Sequence, residues 1–321
     1  MAQLIADIFH QALDNDWLRR GNDQAAFDVE AGRLVMTTDA YVISPIFFPG
    51  GDIGSLSVHG TINDIAMAGA RPRYLSASFI LEEGFPLADL KRIADSMGAA
   101  ARAAEVPVIT GDTKVVERGK ADKVFISTTG IGVVPAGVEV SVERARPGDR
   151  IIVSGSMGDH GVAVMSRRHN LEFETEIVSD SAPLHELVAT MVAAGGQDLH
   201  AMRDPTRGGL AATLNEIAQQ AGVGIRLEEA AIPVLPAVTA ACELLGLDPL
   251  YVANEGKLVA FVAPRSAAAV LAAMRAHPLG GAAAIIGEAV ADEHRFVQMR
   301  TAFGGERIVD WLAGEQLPRI C

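Results

Sequence analysis

The chain has 321 residues, 27 basic and 40 acidic, for a formal charge of −13, with 49% apolar residues and 5% aromatics. Such a chain is long and apolar enough for two domains with their own cores, and its acidic balance excludes the clustered Lys and Arg of a nucleic-acid binder. Nucleotides stay open, because backbone N–H groups and bridging metal hold their phosphates.

No apolar run reaches the roughly 18 residues of a bilayer span. The first residues, MAQLIADIFHQALDND, lack the basic stretch of a signal peptide. Two cysteines, Cys242 and the terminal Cys321, cannot build a disulfide framework. A cytoplasmic location with reduced thiols is therefore expected.

In chain order, residues 33–43 (RLVMTTDAYVI) read as a β-branched strand running into an acidic turn. From 53 to 69, Ile53, Leu56, Ile62, Ile65, Ala66 and Gly69 recur at helical spacing. A strand follows at 75–81, then a helix opened by Pro86 with Leu87, Leu90, Ile93, Met97 and Ala101 on one face. Residues 106–110 read as a short buried strand and 124–134 as another. Arg146-Pro147-Gly148-Asp149-Arg150 has the turn chemistry of a domain boundary, with a strand at 151–154 beyond it. The second half alternates helices at 183–194, 209–221, 236–245 and 266–276 with strands near 223–228, 256–263, 284–290 and 295–300. After Gly304-Gly305 the order weakens. From Glu306 an extended chain to Cys321 would reach roughly 50 Å, far enough to enter a cleft.

Three aspartates sit where strands or turns meet helices: Asp39 in TTDAYV, Asp64 in GTINDIAMAGA and Asp112 in TGDTKVV. Taken singly, each is also a turn or capping residue. Together they suit a hard cation, since Mg²⁺ takes one or two carboxylates plus substrate phosphates. Lys114 follows the strand 106–110, where a cation can meet phosphate or a leaving oxyanion, or simply be solvated. Arg203-Asp204-Pro205-Thr206-Arg207-Gly208-Gly209 opens the helix 209–221, as an anion site or as a plain cap. Ser154-Gly155-Ser156-Met157-Gly158-Asp159-His160-Gly161 is a Gly-rich turn with neither a Rossmann fingerprint nor a P-loop lysine. Glu255, before the strand 256–263, is a turn residue or, if buried, a general base. His59 and His160 belong to no metal or nucleophile motif and are read as incidental.

FFPGGDIG, VHGTINDIAMAGA, GDTKVVERGKADK, GDHG, RDPTRGGL, CELLGLDPL, ANEGKL and the terminal PRIC together resemble the HypE family of hydrogenase maturation proteins, from Ala2 to Cys321. The ending is specific within a superfamily that also holds aminoimidazole ribonucleotide synthetase, selenophosphate synthetase and thiamine-monophosphate kinase. The resemblance implies a two-domain fold: an α/β ATP-binding and dimerisation domain (1–146), an α+β domain (147–303), and a mobile tail (304–321). It implies ATP-dependent dehydration of an S-carbamoyl group on Cys321 to S-cyanocysteine, which supplies cyanide ligands to the nickel–iron hydrogenase. A carbamoyltransferase, HypF, would load Cys321, and the HypC–HypD complex would receive the product. By matching motif positions, Asp39, Asp64 and Asp112 would hold Mg²⁺–ATP, with Asn63 and Thr113 nearby. Lys114 and Glu255 would act at the thiocarboxamide, and Asp204 and Gly208 would approach the nucleotide from the second domain.

The family's Gly-rich HGSGG-like stretch does not precede Leu4 here, and weaker phosphate cover is expected. The rival readings are a carrier scaffold with a degenerate nucleotide cleft and another ATP-dependent amide-activating enzyme of the same superfamily.

Overall fold

The structure, a computed structural model, describes residues 4–20, 24–28, 32–171, 176–311 and 319–321. Two short helical turns, Ile5–His10 and Asp16–Arg19, lead to β1 (Arg33–Tyr41), then β2 (Phe47–Phe48) and β3 (Gly51–Asp52). The helix α1 (Ile53–Met67) follows, then β4 (Arg71–Glu82), α2 (Leu87–Ala103), β5 (Val108–Val116) and β6 (Val124–Val134). The first sheet has the order β1-β6-β4-β5, antiparallel except for β4 with β5.

Asp52 starts α1: its carboxylate accepts from Gly54 and Ser55 N–H, while Ser55 Oγ accepts from Asp52 N–H. This reciprocal cap satisfies donors that the first turn leaves over. α1 is buried almost all round, Ser57, Thr61 and Asn63 included. A helix apolar on every side is a core element, and α1 lies between the first sheet, α2 and the second domain.

The second domain holds β7 (Arg150–Val153), α3 (Asp159–Arg168), α4 (His185–Gly195), β8 (Leu199–Arg203), α5 (Gly209–Ala221), β9 (Gly224–Glu228) and α6 (Pro236–Leu245). It continues through β10 (Val259–Val262), α7 (Pro264–Ala276), β11 (Ala284–Val290), β12 (Val297–Arg300) and β13 (Glu306–Ile308). Its seven-stranded sheet has the order β13-β12-β9-β11-β7-β10-β8. Ile151 and Val153 join Leu210, Leu214 and Ile217 of α5 in one core, while Ile152 joins Leu187, Met191 and Val270 of α4 and α7 in another. The period of two along β7 thus clothes both faces of the sheet with helices. The expected α/β and α+β two-domain class is what is found. No helix among the described residues is long and apolar enough to cross a membrane.

Three departures from the sequence reading have physical causes. The strand expected at 106–110 runs on to Val116, because it pairs with β4 from Leu75↔Val108 to Glu82↔Val116. As an edge strand it tolerates the polar run Gly111–Lys114. The Gly-rich turn at 154–161 contains the start of α3, a helix that the sequence pattern does not predict. Gly158 caps it at φ +92, and the polar Asp159 and His160 are buried, so no amphipathic stripe announces the helix. Lastly, the stretch assigned to a tail from 304 begins inside a hairpin. β13 pairs with β12, and the buried Val309 gives its N–H to Val297 O and takes Asn215 Nδ2. Residues 312–318 lie outside the described residues, and residues 319–321 are held against the first domain.

Candidate active site

A cleft of about 660 Å³ lies where the two domains meet, within the range that holds a small ligand. One wall is the end of β1 with Asp39 and the middle of α1 with Asp64; the other is the loop after β8, with Asp204, Thr206 and Arg207. Glu255 forms the floor, and Arg319, Ile320 and Cys321 enter from the side.

Thr37 Oγ1 donates to Asp64 Oδ2 at 2.8 Å. Burial raises the Asp64 pKa despite that bond, and Asp39 adds to the shift. Burial, then the charge of Asp64, pushes the Asp204 carboxyl up to about 7. Glu255 is 3% exposed, and burial followed by Asp204 and Asp180 pushes its pKa well above the ordinary value. Nothing among the described residues hydrogen-bonds Glu255 Oε1. Three carboxyls, Asp64, Asp204 and Glu255, thus have pKa values raised above their ordinary range by burial and by neighbouring negative charge, with the Asp39 carboxylate beside them. Carboxyls crowded in this way suit a divalent cation.

Buried groups fix Glu255. Asp180 accepts its N–H at 3.1 Å and is paired with Lys257 Nζ at 3.1 Å. Asn63 Nδ2 donates to the carbonyls of Glu255 and Ala182, while its Oδ1 accepts from Leu184 N–H. Gly256 permits this closeness, since a Cβ there would lie 1.8 Å from Asp180 O. Asn254 ties the same loop to the other wall through Pro205 O and Gly158 N–H.

The expected site residues divide accordingly. Asp39, Asp64, Asp204, Glu255 and Cys321 come together. Gly208 caps α5 at φ +73 beside Thr206 and Arg207. Asn63, expected near the nucleotide, instead stands behind the site: it is 1% exposed and its amide is spent on backbone groups. Asp112, Thr113 and Lys114 are elsewhere. Register puts Asp39 in the row Thr128–Ala77–Gly111, facing α1, and Asp112 in the opposite-facing row Ser78–Ser127–Ala40. Three strand spacings separate their strands, roughly 14 Å. Lys114 Nζ pairs with Asp112 Oδ2 at 2.8 Å on the surface, and that bond with Thr113 N–H lowers the Asp112 pKa. The chain alone therefore does not assemble an Asp39–Asp64–Asp112 metal triad, and among the described residues no three His, Cys, Asp or Glu side chains could hold a metal.

His160, read as incidental, is fully buried and contacts the tail. Sequence reasoning also misses Asp180, Lys257 and Asn254. Asn254 and Lys257 carry a sequence signal, since they flank Glu255 in ANEGKL; Asp180 is brought in by a segment 75 residues away.

The AIR synthase related protein N-terminal domain matches residues 21–134, and the AIR synthase related protein C-terminal domain matches residues 146–300. A carbamoyl dehydratase HypE of Bradyrhizobium diazoefficiens is 75% identical over 321 residues, covering 100% of this chain and 93% of that protein. The crystal structure of a hydrogenase maturation protein HypE in complex with ATP superposes with a TM-score of 0.96 at 52% identity, covering 100% of this chain and 96% of the other. A HypE solved in complex with HypF gives a TM-score of 0.85 at 47% identity, covering 96% and 99%. Two AIR synthase-related domains and similarity over the whole length place the chain in the HypE family of hydrogenase maturation proteins.

Proposed function

We propose that this protein is an ATP-dependent carbamoyl dehydratase acting on an S-carbamoyl group carried by its own Cys321. The observation that carries this reading is the position of Cys321 in the same cleft as Asp39, Asp64, Asp204 and Glu255. The carbamoyl oxygen attacks the γ-phosphorus of ATP, ADP leaves, and the nitrogen gives up one proton. The O-phosphorylated thioimidate then loses its second N–H proton as the C–O bond breaks. Phosphate departs and Cys–S–C≡N remains. Glu255 accepts a proton at Oε1, the oxygen with no hydrogen-bond partner among the described residues. Burial and the neighbouring carboxyls raise its pKa, which makes its carboxylate a stronger base than an ordinary glutamate.

The uncompensated carboxyls fit Mg²⁺. Asp39 and Asp64 would hold it together with the nucleotide phosphates, since Mg²⁺ needs only one or two carboxylates, and it would neutralise phosphate charge there. The Gly208–Gly209 turn, closed by the Gly209 N–H donating to Thr206 O at 2.9 Å, sets the N-terminus of α5 at the cleft beside Arg207, where its dipole favours an anion. Gly209 has φ +62, and a Cβ there would meet Leu250 O and Val252 O at 2.6 Å, so the turn demands glycine.

The free face of the first sheet exposes Leu34, Met36 and Ile80 by 50%, 72% and 41%. Covering it with a second copy gives a homodimer, the arrangement through which Asp112, Thr113 and Lys114 would approach a nucleotide. HypF is the carbamoyl donor and the HypC–HypD complex the cyanide acceptor. The requirement for ATP and a reduced thiol suits the cytoplasm.

The test is intact-mass spectrometry after incubation with HypF, carbamoyl phosphate and ATP, then with fresh Mg²⁺–ATP. A carbamoyl adduct on Cys321 that loses one water supports the dehydratase. An adduct that persists makes the chain a carrier only, and no adduct refutes both.

A further inference from the structure

The carbonyls of the last three residues are all taken up by the protein. Arg319 O accepts from Ser44 N–H at 3.1 Å and from Arg168 Nη2 at 2.7 Å. Ile320 O meets His160 Nε2 at 2.8 Å, and Cys321 O accepts from Val42 N–H at 3.0 Å. The Ile320 side chain, 3% exposed, is part of the first domain's core. Arg319 stands at φ +56, a conformation that costs a non-glycine residue energy and persists where surroundings over-determine it. Here its guanidinium is held by Val42 O and Asp122.

His160 and Arg168 lie on α3, eight residues or about 12 Å apart along the helix. Arg168 Nε also donates to Ser44 O at 2.8 Å, so one guanidinium clamps the tail to the segment it runs beside. His160 is fully buried, and desolvation favours its neutral form. A neutral imidazole has one N–H, and Ile320 O can only accept, so Nε2 carries the proton. Nδ1 then accepts from Ser179 Oγ at 2.8 Å, and Ser179 Oγ in turn accepts from Ser181 N–H. The Phe48 ring stands perpendicular to the imidazole, with the ring centroids 5.4 Å apart. A buried relay of fixed direction thus ends on the peptide carbonyl next to the reactive cysteine.

We propose that His160, with Arg168, is the receptor for the C-terminal Arg-Ile-Cys segment and positions residue 321 in the cleft. It recognises peptide carbonyls and one branched apolar side chain, so it can hold the segment with the sulfur unmodified, carbamoylated or cyanated. His160 is a positioning residue acting through the Ile320 peptide. The inference rests on the proposed role of Cys321 only for its catalytic meaning; the receptor itself is tested without partner or nucleotide.

The full-length chain is alkylated with iodoacetamide, and both thiols are followed by peptide mass spectrometry. Cys242 is the internal control for folding: it is 1% exposed on α6, and burial pushes its pKa up to about 11. His160→Leu should alkylate Cys321 about tenfold faster, the scale of one buried hydrogen bond, with Cys242 still protected. His160→Gln, which returns an N–H near the Nε2 position, should restore most of the protection. In the carbamoylated protein, His160→Leu should slow loss of water and His160→Gln should rescue it. An unchanged Cys321 rate in His160→Leu overturns the proposal. If Cys242 also reacts, that variant has unfolded, and Arg168→Met and Ile320→Ala decide: both must speed alkylation of Cys321 alone, and wild-type rates in both overturn it. A protein that shows this pattern yet is never carbamoylated refutes the dehydratase reading and leaves the receptor standing.

Discussion

Replacing Asp204 by Asn should stabilise the protein at alkaline pH while removing its activity. The folded chain raises this carboxyl from the ordinary aspartate value to about 7 by burial and by the charge of Asp64. In the unfolded chain it ionises near 3.9. Between those values the native state keeps a proton that the unfolded state has released, so stability falls as pH rises through the window of about 4 to 7 and is level above it. At about 1.4 kcal/mol per pH unit the ceiling is about 4 kcal/mol. Asp204 lines an open cleft, and solvent there reduces the penalty to about 2–3 kcal/mol at pH 8. At pH 5 only the first part of the window has been crossed, and about 1 kcal/mol is expected. The assay is thermal unfolding of both proteins at pH 5 and pH 8. The Asp204→Asn variant should melt higher than wild type at pH 8, with the gap shrinking at pH 5, while Mg²⁺–ATP should raise the wild-type midpoint far more than the variant's. A variant less stable than wild type by the same margin at both pH values would show that Asp204 is an ordinary hydrogen-bonded carboxylate, and would remove the electrostatic basis for the cation site.

Glu255→Gln keeps the shape of the side chain and removes a buried charge, so it should fold with unchanged or higher thermal stability and still accept the carbamoyl group. Its dehydration rate should fall by about 10²–10⁴ in single-turnover mass spectrometry; a wild-type rate would assign the proton to another group. Lys257→Met leaves Asp180, whose side chain is only 3% exposed, as an unpaired buried charge. A loss of about 3–5 kcal/mol in denaturant unfolding is expected, and the further change Asp180→Asn should return much of it. Asn63→Ala strands the Leu184 N–H and two carbonyls. It should cost about 1–3 kcal/mol and slow dehydration through the loosened Glu255 loop, without altering alkylation of Cys321.

Much of the fold is legible because it follows local periodicity. The 3.6-residue spacing of Leu90, Ile93, Met97 and Ala101 gives α2, and the β-branched run 124–134 gives β6. The helices 209–221 and 236–245 fall at the bounds the pattern sets. The motifs likewise point to Asp39, Asp64, Asp204 and Glu255, which share the cleft. What stays hidden depends on tertiary context. α3 begins with buried polar residues, so hydrophobic patterning is silent there. Asp112 looks equivalent to Asp39 in sequence, yet strand register turns it to the other face of the sheet. Asn63, beside the candidate metal ligand Asp64, is consumed by backbone groups more than a hundred residues away. The significance of His160 lies in its 2.8 Å contact with Ile320, 160 residues downstream, which no local reading can reveal.

The central claim, that this cleft transfers the carbamoyl oxygen of Cys321 to phosphate, is tested most directly by isotope. The chain is carbamoylated with an ¹⁸O-labelled carbamoyl group and given Mg²⁺–ATP for one turnover, and both products are weighed. The account predicts that ¹⁸O appears in inorganic phosphate in the same amount as cyanated Cys321 forms. Unlabelled phosphate with an intact carbamoyl adduct would mean that the cleft merely hydrolyses ATP, and the account would be contradicted.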